Sequence, residues 1–307
     1  MTVAFLGPEG TFTETAARLI TGGEEELVAL GDITEVLRAV EAGEVERGVV
    51  PIENTLEGSV SATLDALAFD TELLVEAELE LPVALVVATA VGSGLEGVEA
   101  IHSHPVALAA CRRWIASNLP GVERVPAAST ARAAQLVAED GRPGVAAIVN
   151  PLAAERYGLE VVARNVADAQ GNSTRFIVVG RALSEPTGWD KTSIVVFIEE
   201  NRPGALLQLL EIFAERDLNL TKIESRPTKD ELGEYCFFLD VEGHLAGERV
   251  GDALAAVHRT HRAVKFLGSY RRSGARRPDE ADRIATDDAA YRAAATWLQD
   301  WRARIGG

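Results

Sequence analysis

The chain is predicted to be an α/β protein in two units, on three observations. Its first 180 residues alternate short apolar β-type runs with helical stretches, residues 182–191 read as a turn-rich linker, and from residue 192 the order becomes strand, helix, strand, strand, helix, strand. That last order is the ferredoxin-like βαββαβ arrangement. A length of 307 residues exceeds one average domain and suits two or three.

Each element has a local reason. Residues 3–6 form a strand that runs into the loop Gly7-Pro8-Glu9-Gly10, and Thr13 is the expected N-cap of a helix through residue 20. Asp32 caps a second helix to residue 42, stopped by Gly43. Residues 48–52 are a buried strand halted by Pro51. Residues 83–89 and 100–102 are further strands, and residues 105–117 a helix with proline in its first turn. A helix over 130–139 and a strand over 144–149 follow, and the rhythm implies mostly parallel sheet. There is an internal echo: a helix–Gly–strand unit exits on Glu53 and Asn54, and a second exits on Asn150. Two similar lobes facing a cleft produce such an echo, and so does any α/β protein.

In the second unit, strands are expected over 192–199, 220–226, 235–241 and 263–267, with helices over 203–216 and 246–260. Beyond it, Arg271, Arg272, Arg276 and Arg277 make a basic linker, so that residues 271–307 form a linker and a C-terminal amphipathic helix from Asp279. Ile284, Tyr291, Leu298 and Ile305 recur seven residues apart on that helix, with Trp301 beside them. Such a stripe needs a partner surface, on the chain's own body or on a neighbouring subunit.

Composition excludes several classes. Hydrophobic residues make up 47% and charged residues 25%, with mean hydropathy near zero, which is ordinary for a globular protein. The longest apolar run, residues 81–91, contains Pro82 and falls far short of a membrane span. The N-terminus lacks a basic n-region, so no signal peptide is expected. Cys111 and Cys236 lie in apolar contexts, which predicts two buried free thiols and a reducing cytoplasm. A net charge of −17 argues against nucleic acid and membrane as partners. It leaves a small anionic substrate open, because one arginine or helix N-terminus overrides the global field at short range. A dinucleotide site is disfavoured, since no Gly-x-Gly-x-x-Gly follows the first strand.

The most informative stretch is Gly171-Asn172-Ser173-Thr174-Arg175-Phe176, at the mouth of the apolar run 177–180. It offers hydroxyls, an amide and one fixed positive charge, but no thiol, imidazole or metal ligand. Such a group suits carboxylate binding and proton or hydrogen-bond donation rather than nucleophilic or metal chemistry.

Six separated motifs then give the chain a family. Gly7-Pro8-Glu9-Gly10-Thr11-Phe12-Thr13, Pro51-Ile52-Glu53-Asn54, Ser103-His104-Pro105, Thr174-Arg175-Phe176, Gly204-Ala205-Leu206-Leu207 and Glu224-Ser225-Arg226-Pro227, in that order, resemble prephenate dehydratase over residues 2 to about 270. The resemblance implies a two-lobed catalytic domain similar to periplasmic binding proteins over residues 1–181, with lobe 1 about 1–80 plus 165–181 and lobe 2 about 81–164. It implies an ACT regulatory domain over 192–270 that binds phenylalanine, and pairing of those domains into a homodimer or homotetramer. The chemistry is decarboxylating dehydration of prephenate to phenylpyruvate without a cofactor or metal. The alternatives are arogenate dehydratase and a non-catalytic amino-acid sensor. The chain starts directly at the dehydratase strand, so a single activity is expected.

The resemblance also carries roles. Thr174 is the hydroxyl donor to the leaving group, Arg175 a bidentate carboxylate clamp or an ion pair holding a lobe, and Phe176 the floor of the cleft. Asn54 is a hydrogen-bonding substrate contact, while Glu53, repelled by a dianion, orients a neighbour or caps a helix. Thr11, Thr13, Ser103, His104 and Ser173 complete the substrate side, with Thr13 alternatively a plain cap and His104 a cap or bridge. The effector side is Asn201, Pro203, Gly204, Ala205, Leu206, Leu207, Glu224, Ser225, Arg226 and Pro227, a strand-to-helix turn and a strand end. One departure stands out: where the family commonly has a glutamine before the cysteine position, this chain has Ala110 before Cys111.

Overall fold

A computed structural model describes residues 1–169, 171–198, 202–229, 233–274 and 278–305, with backbone alone over 278–287. Glu199, Asn201, Arg276 and Arg277 lie outside the described residues, as does the side chain of Ile284. The chain divides into two units, Met1–Ala66 with Leu79–Val179, and Leu67–Glu78 with Gly180–Gly307.

The first unit begins with β1 (Thr2–Leu6), α1 (Phe12–Thr21), β2 (Glu26–Leu30), α2 (Ile33–Glu41), β3 (Arg47–Asn54), the two-residue β4 (Gly58–Ser59) and α3 (Ser61–Asp65), and β5 (Leu74–Pro82) straddles the division at Glu78. Asp32 caps α2 as expected, accepting from Glu35 N–H. The cap of α1 is Thr11 rather than Thr13, since the Thr11 side chain accepts from Glu14 N–H while Thr13 is buried inside the first turn. The second lobe holds β6 (Val86–Thr89), β7 (Ala100–Ser103), α4 (Pro105–Ala110), α5 (Arg112–Asn118), β8 (Glu123–Pro126), α6 (Thr130–Asp140), β9 (Val145–Val149), α7 (Pro151–Arg156) and β10 (Glu160–Arg164). The chain then returns to the first lobe as β11 (Ser173–Gly180).

The two sheets run β2-β1-β3-β11-β5 and β10-β6-β9-β7-β8. Neither is mostly parallel. β1, β2 and β3 pair parallel, as do β7, β8 and β9, but β11 joins β3 antiparallel and β6 joins β9 and β10 antiparallel. The parallel sets belong to βαβ crossovers within a lobe. Apart from the short β4, which pairs antiparallel with β3 within the first lobe, these antiparallel strands are those by which the chain passes from one lobe to the other, arriving from the opposite direction.

The second lobe's sheet is covered on both faces. Ile101, Cys111, Ile115 and Ile148 pack one core, and Val86, Ala134, Val137 and Val149 the other. The single helix expected over 105–117 is two, broken at Cys111. Asp168 on the returning segment accepts from Arg113 N–H at 2.7 Å and Trp114 N–H at 3.0 Å, so α5 is capped from outside its own sequence.

In the second unit, β12 (Asp190–Phe197), α8 (Ala205–Ala214), β13 (Leu220–Pro227), β14 (Tyr235–Glu242), α9 (Glu248–Thr260) and β15 (Ala263–Arg271) give the expected βαββαβ order, with the sheet as β13-β14-β12-β15. Ile194, Val196, Leu209, Phe213, Leu239 and Val257 form its core. Alternate residues of β12 carry a buried polar network: Lys191 Nζ lies 3.0 Å from Glu78 Oε2, and Ser193 Oγ donates to Asp240 Oδ1 at 2.5 Å. Buried charges persist only when paired in this way. The last helix, α10 (Pro278–Arg302), meets α9 through Asp288, whose Oδ1 accepts from Arg249 N–H at 3.3 Å. Leu298 and Trp301 of the expected stripe are exposed, and Ile305 lies beyond the helix. Among the described residues, no helix is long and apolar enough to cross a membrane.

Candidate active site between the two lobes of the first unit

A cavity of about 630 Å³ opens between the lobes. The first lobe contributes Thr11, Phe12 and Thr13 from the start of α1, Pro51 and Asn54 from β3, and Thr174 and Phe176 from β11. The second contributes His104, Val106, Ala107 and Ala110 around α4, and Ser129, Thr130 and Arg132 at the start of α6. Among the described lining residues, Glu57 and Arg132 carry the charges.

The β3–β11 pairing decides which side chains face the cavity. Thr174 stands opposite Asn54 and Arg175 opposite Glu53, with a register shift before Phe176, which is opposite Pro51. Side chains alternate along a strand, so Thr174 and Phe176 point into the cleft while Arg175 between them points away. Arg175 is buried and absent from the lining, and its Nη1 lies 3.7 Å from Glu53 Oε2. The geometry is that of the ion-pair reading of Arg175, with Glu53 as its partner.

Asn54 is held by its own backbone. Its Oδ1 accepts from Leu56 N–H at 2.9 Å and Glu57 N–H at 3.1 Å. An amide oxygen with two backbone donors fixes the amide orientation. Nδ2 therefore faces β11, where it lies 2.9 Å from Thr174 Oγ1, 3.0 Å from Asn172 Oδ1 and 3.3 Å from Ser173 O. Asn54 therefore lines the cavity with its amide nitrogen bonded to Thr174 and to the neighbouring Asn172 and Ser173.

The remaining expectations divide. Thr11 and Thr13 line the cavity, with the Thr11 hydroxyl occupied as the α1 cap. His104 lines it too and caps α4, Nδ1 accepting from Val106 N–H at 3.4 Å. Ser103 does not reach the cavity: it is fully buried and donates to Ile148 O at 2.6 Å. Ser173 is likewise outside the lining, its backbone N–H donating to Thr55 Oγ1 at 3.0 Å. Ala110 sits in the wall, as a small apolar surface. Sequence reasoning missed Ser129, Thr130 and Arg132, although the Ser-Thr pair opening a helix was a usable signal. Among the described residues, no group of three or more His, Cys, Asp or Glu is placed to hold a metal ion.

On the second unit a separate hollow of about 520 Å³ is lined by Gly204, Ala205, Leu206, Leu207, Tyr235 and Phe237 among others. Gly204 opens α8 with φ +85°, a conformation that favours glycine. Pro203 is exposed in the turn before it. Glu224, Ser225, Arg226 and Pro227 do not line the hollow, but Ser225 and Pro227 are in register with Phe237 and Tyr235, which do.

Comparison with known proteins places the chain in a family. The prephenate dehydratase family profile matches residues 3–184, and the ACT domain profile residues 192–259. A prephenate dehydratase of Amycolatopsis methanolica is 47% identical over 274 residues, covering 88% of each chain. The crystal structure of a prephenate dehydratase from Arthrobacter aurescens in complex with L-Phe superposes with a TM-score of 0.87 at 42% identity, covering 98% of this chain and 99% of that one. A structure described as a novel type of quorum quenching acylase superposes with a TM-score of 0.82 at 31% identity, covering 90% of this chain and all of that one. With a family profile over more than half of its length and such relatives over most of it, this chain belongs to the prephenate dehydratase family.

Proposed function

We propose that the interlobe cavity converts prephenate to phenylpyruvate with Thr174 as the hydrogen-bond donor to the departing ring hydroxyl. The observation that carries this is the Asn54–Thr174 bond. Because Asn54 Nδ2 donates to Thr174 Oγ1, the threonine's own O–H is left to donate into the cavity.

The reaction needs little else. The ring carboxylate leaves as carbon dioxide, its bonding pair moves into the ring, and the C–O bond to the ring hydroxyl breaks as the ring becomes aromatic. The oxygen leaves as water, taking up one proton that comes ultimately from solvent. A threonine hydroxyl is too weak an acid to be the proton source, so Thr174 stabilises the leaving oxygen and relays. Positioned donation of this kind is worth on the order of 10²–10⁴ in rate. The dianion is held across the cleft by the first turns of α1 and α6, which face it from opposite lobes, and by Arg132. Phe176 and the apolar wall at Ala107 and Ala110 flank the ring.

Regulation is assigned to the second unit, where phenylalanine occupies the hollow beside Gly204–Leu207. The ACT profile and the phenylalanine complex of the Arthrobacter aurescens relative support that reading. In keeping with it, residues 1–181 carry catalysis and residues 192–270 regulation, the chain acts in the cytoplasm, and two or four copies associate through their ACT sheets.

Phenylpyruvate formation from prephenate, with and without phenylalanine and beside Thr174→Ala, tests the whole reading. Turnover lost in the variant and altered by phenylalanine is the expected result. Turnover of arogenate alone identifies the transaminated substrate. Phenylalanine binding without turnover leaves a sensor, and hydrolysis of an acyl amide in its place puts the chain beside the acylase.

A further inference from the structure

We infer that Asn150 is a positioning residue of the cleft, fastening the second lobe to the Gly10 carbonyl and so holding the N-terminus of α1 over the substrate. The inference deepens the proposed function and rests on it for its kinetic arm.

Asn150 ends the strand-exit echo that the sequence shows, and it is 1% exposed. Its Oδ1 accepts from Ala153 N–H at 2.6 Å as the cap of α7. As at Asn54, an oxygen committed to backbone N–H turns the amide nitrogen the other way. Nδ2 donates to Gly10 O at 2.9 Å, a buried bond between the lobes across 140 residues of sequence. Gly10 is built for the approach. Its φ is +83°, and a Cβ there would stand 3.3 Å from Tyr157 Cε2 and 3.4 Å from the Ala153 Cα. Its N–H donates to Glu14 Oε2 at 2.5 Å, so the loop is held from both sides.

The consequence reaches the cavity within a few residues. Thr11 follows Gly10 as the α1 cap, and Phe12 and Thr13 then line the cavity. Other interlobe contacts nearby involve Glu9, Glu14, Arg156 and Tyr157: Arg156 Nη1 lies 3.0 Å from Glu14 Oε1, and Tyr157 O–H donates to Glu9 O at 3.3 Å. Glu14 keeps Arg18 as a second partner at 2.7 Å, so losing Arg156 does not orphan its carboxylate. Losing the Asn150 donor does orphan the Gly10 carbonyl, and a buried acceptor without a partner drives local rearrangement. A shift of about 1 Å in a positioning element costs on the order of 10²-fold in rate.

Asn150→Ser and Asn150→Asp in the full-length protein test this. Both keep an oxygen to cap α7. Serine is too short to reach Gly10, and aspartate sets an acceptor against the carbonyl. The expected result is a fall in kcat/KM of tenfold or more in both, carried mainly by KM, with faster amide exchange around Gly10–Thr13 and the Ala153 amide still protected. Wild-type kcat/KM in either variant overturns the inference. So does loss of activity without a change in exchange at Gly10–Thr13, or loss of protection at Ala153 alone. If the wild-type chain does not turn over prephenate, the proposed function falls, and the exchange comparison still decides whether Asn150 holds the loop.

Discussion

Asn54 Nδ2 donates to Thr174 Oγ1 at 2.9 Å across the β3–β11 pair, and in the proposed mechanism this bond leaves the threonine O–H to donate into the cavity. Thr174→Val keeps the shape and removes the hydroxyl, so kcat for phenylpyruvate formation should fall by roughly 10²–10³. Asn54→Ala frees the hydroxyl to rotate and should cost about 10–100-fold. The two act as one unit, so the double variant should be little worse than Thr174→Val alone. Multiplicative losses would show that Asn54 contacts substrate independently.

The Glu53–Arg175 pair faces away from the cavity, so its loss should appear in stability before binding. Glu53 has a side chain 39% exposed, while Arg175 is 8% exposed. Solvent screens the pair, so Glu53→Gln should cost about 1 kcal/mol of unfolding free energy. KM for prephenate should stay within about twofold. A KM rise of fivefold or more at unchanged thermal stability would return Arg175 to a substrate-binding role.

Ala110 stands in the cavity wall where the family commonly carries glutamine. Ala110→Gln should fold normally, because the cavity has room for the side chain, and should lower KM by up to about tenfold through one added hydrogen bond. An unchanged KM would mean that this chain's binding mode makes no use of that position.

Both cysteines are buried and free, and burial first, then the nearby Asp168 charge, pushes the Cys111 thiol up to about 12 from 9.0. Thiolate is the reactive form, so Cys111 should resist alkylation in the native protein at pH 8 and react once the chain is unfolded. The linkage sign follows from the raised folded value. Its contribution to stability is fully present below pH 9.0 and is lost as pH rises toward 12, because only the unfolded chain ionises in that window. Native alkylation at pH 8 would contradict the buried placement.

Much of this protein is local, and the sequence determines it alone. Asp32 caps α2 because its side chain meets an amide three residues on, and Pro105 opens α4 because its fixed φ suits a first turn. The βαββαβ order of the second unit is legible for the same reason, since hydrophobic period and turn chemistry are written along the chain. The motif Thr174-Arg175-Phe176 was legible at the mouth of a strand, but only the folded strand shows that Thr174 and Phe176 line the cavity while Arg175 does not. What only the tertiary structure decided depends on groups far apart in sequence. Asp168 breaks the expected helix at Cys111 by capping α5 from a distant segment. Ser103, beside a helix start in sequence, is turned inward by β7 and bonded to Ile148. Asn54 meets Thr174 across 120 residues, and Asn150 meets Gly10 across 140. Local propensity cannot encode such meetings. They exist because two lobes, each folded by its own pattern, are joined by strands that cross between them and bring the polar strand exits to one cleft.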